Sequence, residues 1–230
     1  TGFSFGTGVQ LGTASLGDID GDGDLDLCVT GLDQSSVHRL DRYLNDGSGS
    51  YGQLAFGTGV GNSGFVSIGD IDGDGDLDLI VYGSSAVGTR FDKYVNDGNG
   101  GFSSYPISGS TGVCSMGDID LDGDIDLVVS GGYDSLFNDG SGGFSAYPLR
   151  IYGNGAVGHL GDFDGDGDLD MIGCDFGSTN RLNLYVNHRA VVNVSPPAPT
   201  GLSAATEGNK WVLRWNKVNG DDHTPANLVR

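Results

Sequence analysis

Aspartate occupies every other position through nine consecutive residues, and the chain repeats this pattern four times. The segments are Asp18-Ile-Asp20-Gly-Asp22-Gly-Asp24-Leu-Asp26, then Asp70, Asp72, Asp74, Asp76 and Asp78, then Asp118, Asp120, Asp122, Asp124 and Asp126, then Asp162, Asp164, Asp166, Asp168 and Asp170. Carboxylates this close repel one another and each resists leaving water, so no packed core selects such a run. A hard cation reverses the balance, and an all-oxygen donor set of this kind suits Ca²⁺. Four calcium sites are expected, one per segment.

Within each segment, positions 1, 3, 5 and 9 offer side-chain carboxylates. Position 7 is expected to present its backbone carbonyl. Position 6 is always glycine (Gly23, Gly75, Gly123, Gly167), because the chain has to bend sharply around an ion. Position 8 is Leu25, Leu77, Ile125 or Leu169, expected to pin the loop to an apolar core. Leu121 replaces glycine at position 4 of the third loop, a non-ligand position, so that site should survive. An EF-hand would need glutamate at position 12, where this chain has Val29, Val81, Val129 and Gly173.

Of the chain's 230 residues, 31 are acidic and 11 basic, giving a net charge of −20. Glu207 is the only glutamate, and 20 of the 30 aspartates sit in the four loops. Four divalent ions would bring the balance to about −12, so the acidity reads mainly as metal ligation. It also excludes a nucleic-acid partner, which requires a basic face. No apolar run approaches the roughly 18 residues of a membrane span. The opening Thr1-Gly-Phe-Ser-Phe5 is no leader sequence, so a mature or trimmed product is expected. Cys28, Cys114 and Cys174 are too few and too scattered for a disulfide framework and read as free thiols.

The loops begin at 18, 70, 118 and 162, spacings of 52, 48 and 44 residues. A period of that size marks a propeller or a solenoid array. In each unit an apolar strand ends in Gly-Asp, the aspartate loop follows, and a second strand leaves it, as in Leu77-Asp-Leu-Ile-Val-Tyr-Gly83. A third strand closes in Tyr-x-Asn-Asp-Gly at Tyr43–Gly47 and Tyr94–Gly98, and in Leu136-Phe-Asn-Asp-Gly140. Asn-Asp-Gly favours positive φ and signals a hairpin. A fourth strand begins at Phe102 or Phe144. Four antiparallel strands in under about 50 residues make one propeller blade. The expected fold is therefore all-β, about four such blades across residues 1–190, with Phe3–Gly6 as an outer strand lacking a blade of its own.

The fourth unit has Tyr185-Val-Asn187-His188-Arg189 where Asn-Asp-Gly is expected. Residues 191–199 carry three prolines and read as a stiff linker. Residues 200–230 follow, with Trp211, Leu213 and Trp215 alternating as in a half-buried strand. Their resemblance to the opening of a fibronectin type III domain implies the start of a partial immunoglobulin-like sandwich. Gly2-Phe-Ser4-Phe-Gly6 and Gly47-Ser-Gly49-Ser-Tyr-Gly52 match catalytic and dinucleotide patterns, but neither sits between a strand and a helix. His38, His159, His188 and His223 lack ligand spacing, and His159 reads as a strand residue. Asn193-Val-Ser195 is a glycosylation sequon.

The loop Asp-x-Asp-Gly-Asp-Gly-Asp-Leu-Asp with its following Tyr-x-Asn-Asp-Gly resembles the FG-GAP or VCBS repeat. That repeat is the blade unit of integrin-α-like β-propellers and of many secreted bacterial surface proteins. Pro197-Ala-Pro-Thr-Gly-Leu202 with Trp211–Asn216 looks like the first third of a fibronectin type III domain. The resemblance implies calcium on the loop aspartates, an extracellular or cell-surface location, and a non-enzymatic role in adhesion or recognition. Its departure is in number, since seven blades are usual and four are visible. Partners are expected to be other protein chains, including copies of this one completing residues 200–230 by strand addition in a head-to-tail filament. The alternatives are a lectin using Tyr82, Tyr105, Tyr133, Tyr147 and Tyr152 between blades, and a polysaccharide-degrading enzyme with basic groups at one rim.

Overall fold

A computed structural model describes residues 6–108, 111–130, 135–147, 158–175, 181–188, 200–207 and 210–216. All regular structure among them is β, so no helix is long and apolar enough to cross a membrane. Each aspartate loop joins two antiparallel neighbours. In the first unit β1 (Ala14–Gly17) pairs with β2 (Asp26–Leu32), with Gly17 opposite Asp26. β2 pairs with β3 (His38–Asn45), and β3 with the first half of β4 (Tyr51–Gly69).

β4 spans 19 residues and serves two units. Its second half pairs with β5 (Asp78–Ser85), which pairs with β6 (Gly88–Asn96), which pairs with β7 (Phe102–Pro106). Positive φ at Gly57, Asn62 and Ser63 bends the strand between its two roles. Two four-stranded units are thus joined into one seven-stranded sheet. The third unit is a separate four-stranded sheet: β8 (Cys114–Gly117), β9 (Asp126–Val129), β10 (Ser135–Asn138) and β11 (Phe144–Tyr147). The fourth has β12 (Gly158–Gly161), β13 (Asp170–Asp175) and β14 (Arg181–Tyr185). None of these sheets is closed on itself.

Central strands are covered on both faces, which is why their sequences are continuously apolar rather than alternating. Leu79, Ile80 and Val81 are wholly buried, each burial contributing roughly 1.5–3 kcal/mol. The core lies between units rather than inside one. Ile19, Cys28 and Leu40 of the first unit pack with Leu79, Val81 and Tyr94 of the second. Ile71, Ile80 and Phe91 pack with Cys114, Leu127 and Leu136 of the third, and Ile119 and Val128 meet Met171 of the fourth. Phe56 stacks on Phe102 at 5.0 Å and meets Tyr94 edge-on at 5.9 Å.

Cys28 and Cys114 are free and buried, with thiols pushed up to about 12 mainly by desolvation. The side chain of Cys174 lies outside the described residues, as do residues 3–5 of the expected outer strand, the 191–199 linker and Asn193. After the linker the described structure is a single hairpin, β15 (Thr200–Glu207) with β16 (Lys210–Asn216). The side chains of Trp211 and Trp215 and everything from 217 onward fall outside the described residues.

Candidate metal centres

All four loops fold by the same internal hydrogen bonds. The carboxylate at position 1 accepts the amide N–H of the position-6 glycine: Asp18 from Gly23 at 3.0 Å, Asp70 from Gly75 at 3.1 Å, Asp118 from Gly123 at 3.0 Å, Asp162 from Gly167 at 3.2 Å. Position 5 accepts the N–H of position 7 in every loop, at 2.9, 2.9, 3.1 and 3.2 Å. The position-6 glycines carry φ of 93°, 97°, 99° and 96°, a left-handed conformation that strains any side chain. Leu121 holds the same left-handed turn as Gly21, Gly73 and Gly165, at φ 64°.

Position 9 is buried in every loop: Asp26, Asp78, Asp126 and Asp170 are all within 1% of full burial. One oxygen accepts the N–H of position 2 (Ile19, Ile71, Ile119, Phe163) at 2.8–3.0 Å. The other accepts the N–H of the third-strand asparagine (Asn45, Asn96, Asn138, Asn187) at 2.7–2.9 Å. Each aspartate thereby ties its loop to β3, β6, β10 or, through Asn187, to the segment just past β14. Desolvation pushes Asp78 and Asp126 up to about 6, against these hydrogen bonds.

Within each loop three carboxylates bring one oxygen apiece within 4.8 Å of the others. They are Asp18, Asp20 and Asp22; Asp70, Asp72 and Asp78; Asp118, Asp120 and Asp122; Asp162, Asp164 and Asp170. Positions 1 and 3 belong to every trio, with position 5 or position 9 as the third. Asp18 Oδ1 and Asp20 Oδ1 are buried with no hydrogen-bond partner among the described residues. Two carboxylates at such a distance repel by roughly 3–4 kcal/mol at an effective dielectric of 20. Unpartnered, mutually repelling oxygens are the donor set that a hard divalent cation fits. Desolvation raises Asp20, Asp70 and Asp118 further.

Position 7 stands apart from all four trios. In the first three loops the carboxylates of Asp24, Asp76 and Asp124 lie against the turn glycines Gly47, Gly98 and Gly140, so close that a Cβ there would sit 2.3–2.7 Å from them. Asp168 is fully buried in the fourth. At position 8, Ile125 is buried as expected, and the three leucines differ from it. Leu25 is half exposed, and Leu77 and Leu169 reach across to Gly17 and Gly117 of the preceding unit.

Reasoning from sequence missed the second function of the third-strand asparagine. The Asn96 side-chain N–H donates to Leu77 O at 3.0 Å in its own loop and to Ile19 O at 2.7 Å in the preceding one. Asn138 bridges Ile125 O and Ile71 O, and Asn187 bridges Leu169 O and Ile119 O. A signal was present: Asn187 persists in the fourth unit although the Asp-Gly after it is gone.

Of the five tyrosines considered for a sugar site, Tyr82 is packed in the core against Phe91, and Tyr105 is half exposed beside Lys93. Tyr133, Tyr152 and the Tyr147 side chain lie outside the described residues.

Residues 18–81, from the first loop through the strand after the second, match the FG-GAP-like repeat family. That span is just over a quarter of the chain. No individual curated protein matches it. FG-GAP repeats are typical of extracellular adhesion-type modules, and the match places this stretch among such repeats.

Proposed function

We propose that this chain is a calcium-stabilised extracellular adhesion module whose four units are β-propeller blades. The observation that carries the reading is the buried, unpartnered oxygen pair Asp18 Oδ1 and Asp20 Oδ1, part of a trio repeated in all four loops. Positions 1, 3, 5 and 9 would hold the ion, namely Asp18, Asp20, Asp22 and Asp26 and their counterparts in the other loops. Bound Ca²⁺ supplies charge neutralisation to oxygens that otherwise repel. The chain's own part is positional. The glycine at position 6 folds position 1 back over the loop, and position 9 fastens the loop to the third strand.

Extracellular modules of this general type bind calcium at roughly 10⁻⁴ to 10⁻³ M. Such affinity confines the fully stabilised fold to calcium-rich surroundings. The β15–β16 hairpin is read as the opening strands of a fibronectin type III-like domain. Recognition of a partner rather than catalysis is the role proposed. Calorimetry with millimolar calcium and with excess EDTA tests the metal reading, because a ligand that binds only the native state raises its melting temperature. Superimposable melting curves would overturn it.

A further inference from the structure

One carboxamide in each seam between units holds a main-chain carbonyl in two aspartate loops at once. Asn96 donates to Ile19 O at 2.7 Å and to Leu77 O at 3.0 Å. Asn138 donates to Ile71 O at 2.7 Å and Ile125 O at 3.0 Å, and Asn187 to Ile119 O at 3.1 Å and Leu169 O at 3.4 Å. In every case the first carbonyl precedes position 3 of the preceding unit's loop, and the second precedes position 9 of the asparagine's own. A peptide unit is planar, so fixing a carbonyl fixes the amide plane from which the next residue departs. The three carboxamides therefore aim Asp20, Asp72 and Asp120 in one loop and Asp78, Asp126 and Asp170 in the next. All of these except Asp126 belong to the trios whose oxygens converge within 4.8 Å.

The position-9 aspartates join these links into one path. Asp26 Oδ2 accepts the N–H of Ile19, whose carbonyl accepts from the Asn96 side chain. The Asn96 main-chain N–H donates to Asp78 Oδ1, and Asp78 Oδ2 accepts the N–H of Ile71. The same succession of bonds runs on through Asn138, Asp126 and Ile119 to Asn187 and Asp170. A single hydrogen-bonded chain thus crosses all four loops. Most of its links are buried, where hydrogen bonds polarise one another and a broken one is costly.

We propose that the third-strand asparagine is a positioning residue for the calcium loop of the preceding unit as well as its own, so that neighbouring loops fill cooperatively. The coupling rests on the calcium reading above. In an empty first loop, Asp18 and Asp20 repel and draw the Ile19–Asp20 peptide away from its donor. With that repulsion relieved, the peptide stays on Asn96, Asn96 stays seated, and the Leu77–Asp78 peptide is ordered before the second loop fills. The second loop then loses less conformational freedom on binding, which raises its affinity. Such coupling is reciprocal, so filling the second loop favours the first by the same factor. A loop weakened by substitution delays its neighbour only over the calcium range in which it stays empty.

The test titrates calcium chloride into the full chain and follows the position-6 glycine N–H groups by NMR. Each donates to position 1 of its own loop and so reports occupancy loop by loop. In Asp20→Asn, half-conversion of the Gly75 signal should need about fivefold more calcium than in wild type, or beyond. In an Asn96→Ala background the same Asp20→Asn substitution should move Gly75 by no more than about twofold. Lost stability alone does not produce that cancellation, because both members of the second comparison carry it. Where Asn96→Ala fails to fold, Asn187→Ala with Asp120→Asn, read at Gly167, tests the seam between the third and fourth units in the same way. A Gly75 midpoint indifferent to Asp20→Asn would overturn the coupling. An undiminished shift in the Asn96→Ala background would overturn the asparagine's part in it. Glycine signals that respond to calcium in no loop would overturn the calcium reading itself, and the coupling with it.

Discussion

The side-chain amide of Asn96 donates at 2.7 Å to the main-chain carbonyl of Ile19, 77 residues earlier in the chain. Its second donor bond, to Leu77 O, holds its own loop, so one buried side chain locks two aspartate loops at once. Main-chain carbonyls facing each other across a unit boundary would otherwise be buried without donors.

Asn96→Ala and Asn138→Ala should therefore each lower stability by about 2–3 kcal/mol or more, since four side-chain hydrogen bonds are lost, two donated to carbonyls on either side of the seam and two accepted from turn N–H groups. Asn45→Ala should cost about 1 kcal/mol or less, its single donor bond lying at an exposed loop. Urea denaturation of the three variants measures the contrast.

Two aspartates of the second loop should separate tethering from ligation. Asp78 accepts main-chain N–H groups on both oxygens in a buried place, so Asp78→Asn sets an amide NH₂ against one of those donors. It should cost about 2 kcal/mol even in EDTA. Asp74 is exposed and its carboxylate accepts the N–H of Asp76, so Asp74→Asn should leave the EDTA melting curve within about 0.5 kcal/mol of wild type. Its effect should appear only in calcium titrations, as weaker binding at one site.

Leu121 holds φ 64° at a place where the other three loops have glycine. A left-handed β-carbon costs roughly 1–2 kcal/mol, and glycine's extra unfolded-state freedom returns about half of that. Leu121→Gly should raise stability by about 0.5–1 kcal/mol, read from the urea midpoint. A loss of stability would mean that the leucine side chain makes contacts worth more than the strain.

In EDTA the protein should become less stable as pH rises from about 4 to about 6. Asp78 and Asp126 are pushed up to about 6, chiefly by desolvation, so the native state holds protons that the unfolded chain has released. Stability from that protonation is complete below about 4 and lost as pH climbs through about 6. Asp46, Asp97 and Asp139 shift the other way, held down by hydrogen bonds from their own turns, and act only below the ordinary carboxylate range. Melting temperatures from about pH 4 to about pH 8 check the sign.

The aspartate loops, the strands that flank them and the hairpin turns were legible because each is written locally. Alternating acids with fixed glycines leave the backbone few other conformations, and Leu79-Ile80-Val81 has no use except in a doubly covered strand. The seams were not legible. Asn96 and Ile19 meet only after two sheets have stacked, and nothing within either segment announces the other. Leu25, Leu77 and Leu169 read as core residues of their own units, yet two of them pack on the preceding unit's glycine. The same motif written twice, at Asn45-Asp46-Gly47 and Asn96-Asp97-Gly98, hid that the Asn96 amide reaches the neighbouring loop while its oxygen, like that of Asn45, serves the turn. The joining of two units through the single strand β4 was likewise invisible, because the sequence reads as separate strands in each unit.

Native mass spectrometry of the intact chain, after equilibration with millimolar calcium, counts the bound ions directly. Four added calcium ions per chain, falling to three in Asp74→Asn at limiting calcium, is the expected result. A chain that keeps its fold and carries no calcium under those conditions would contradict the account.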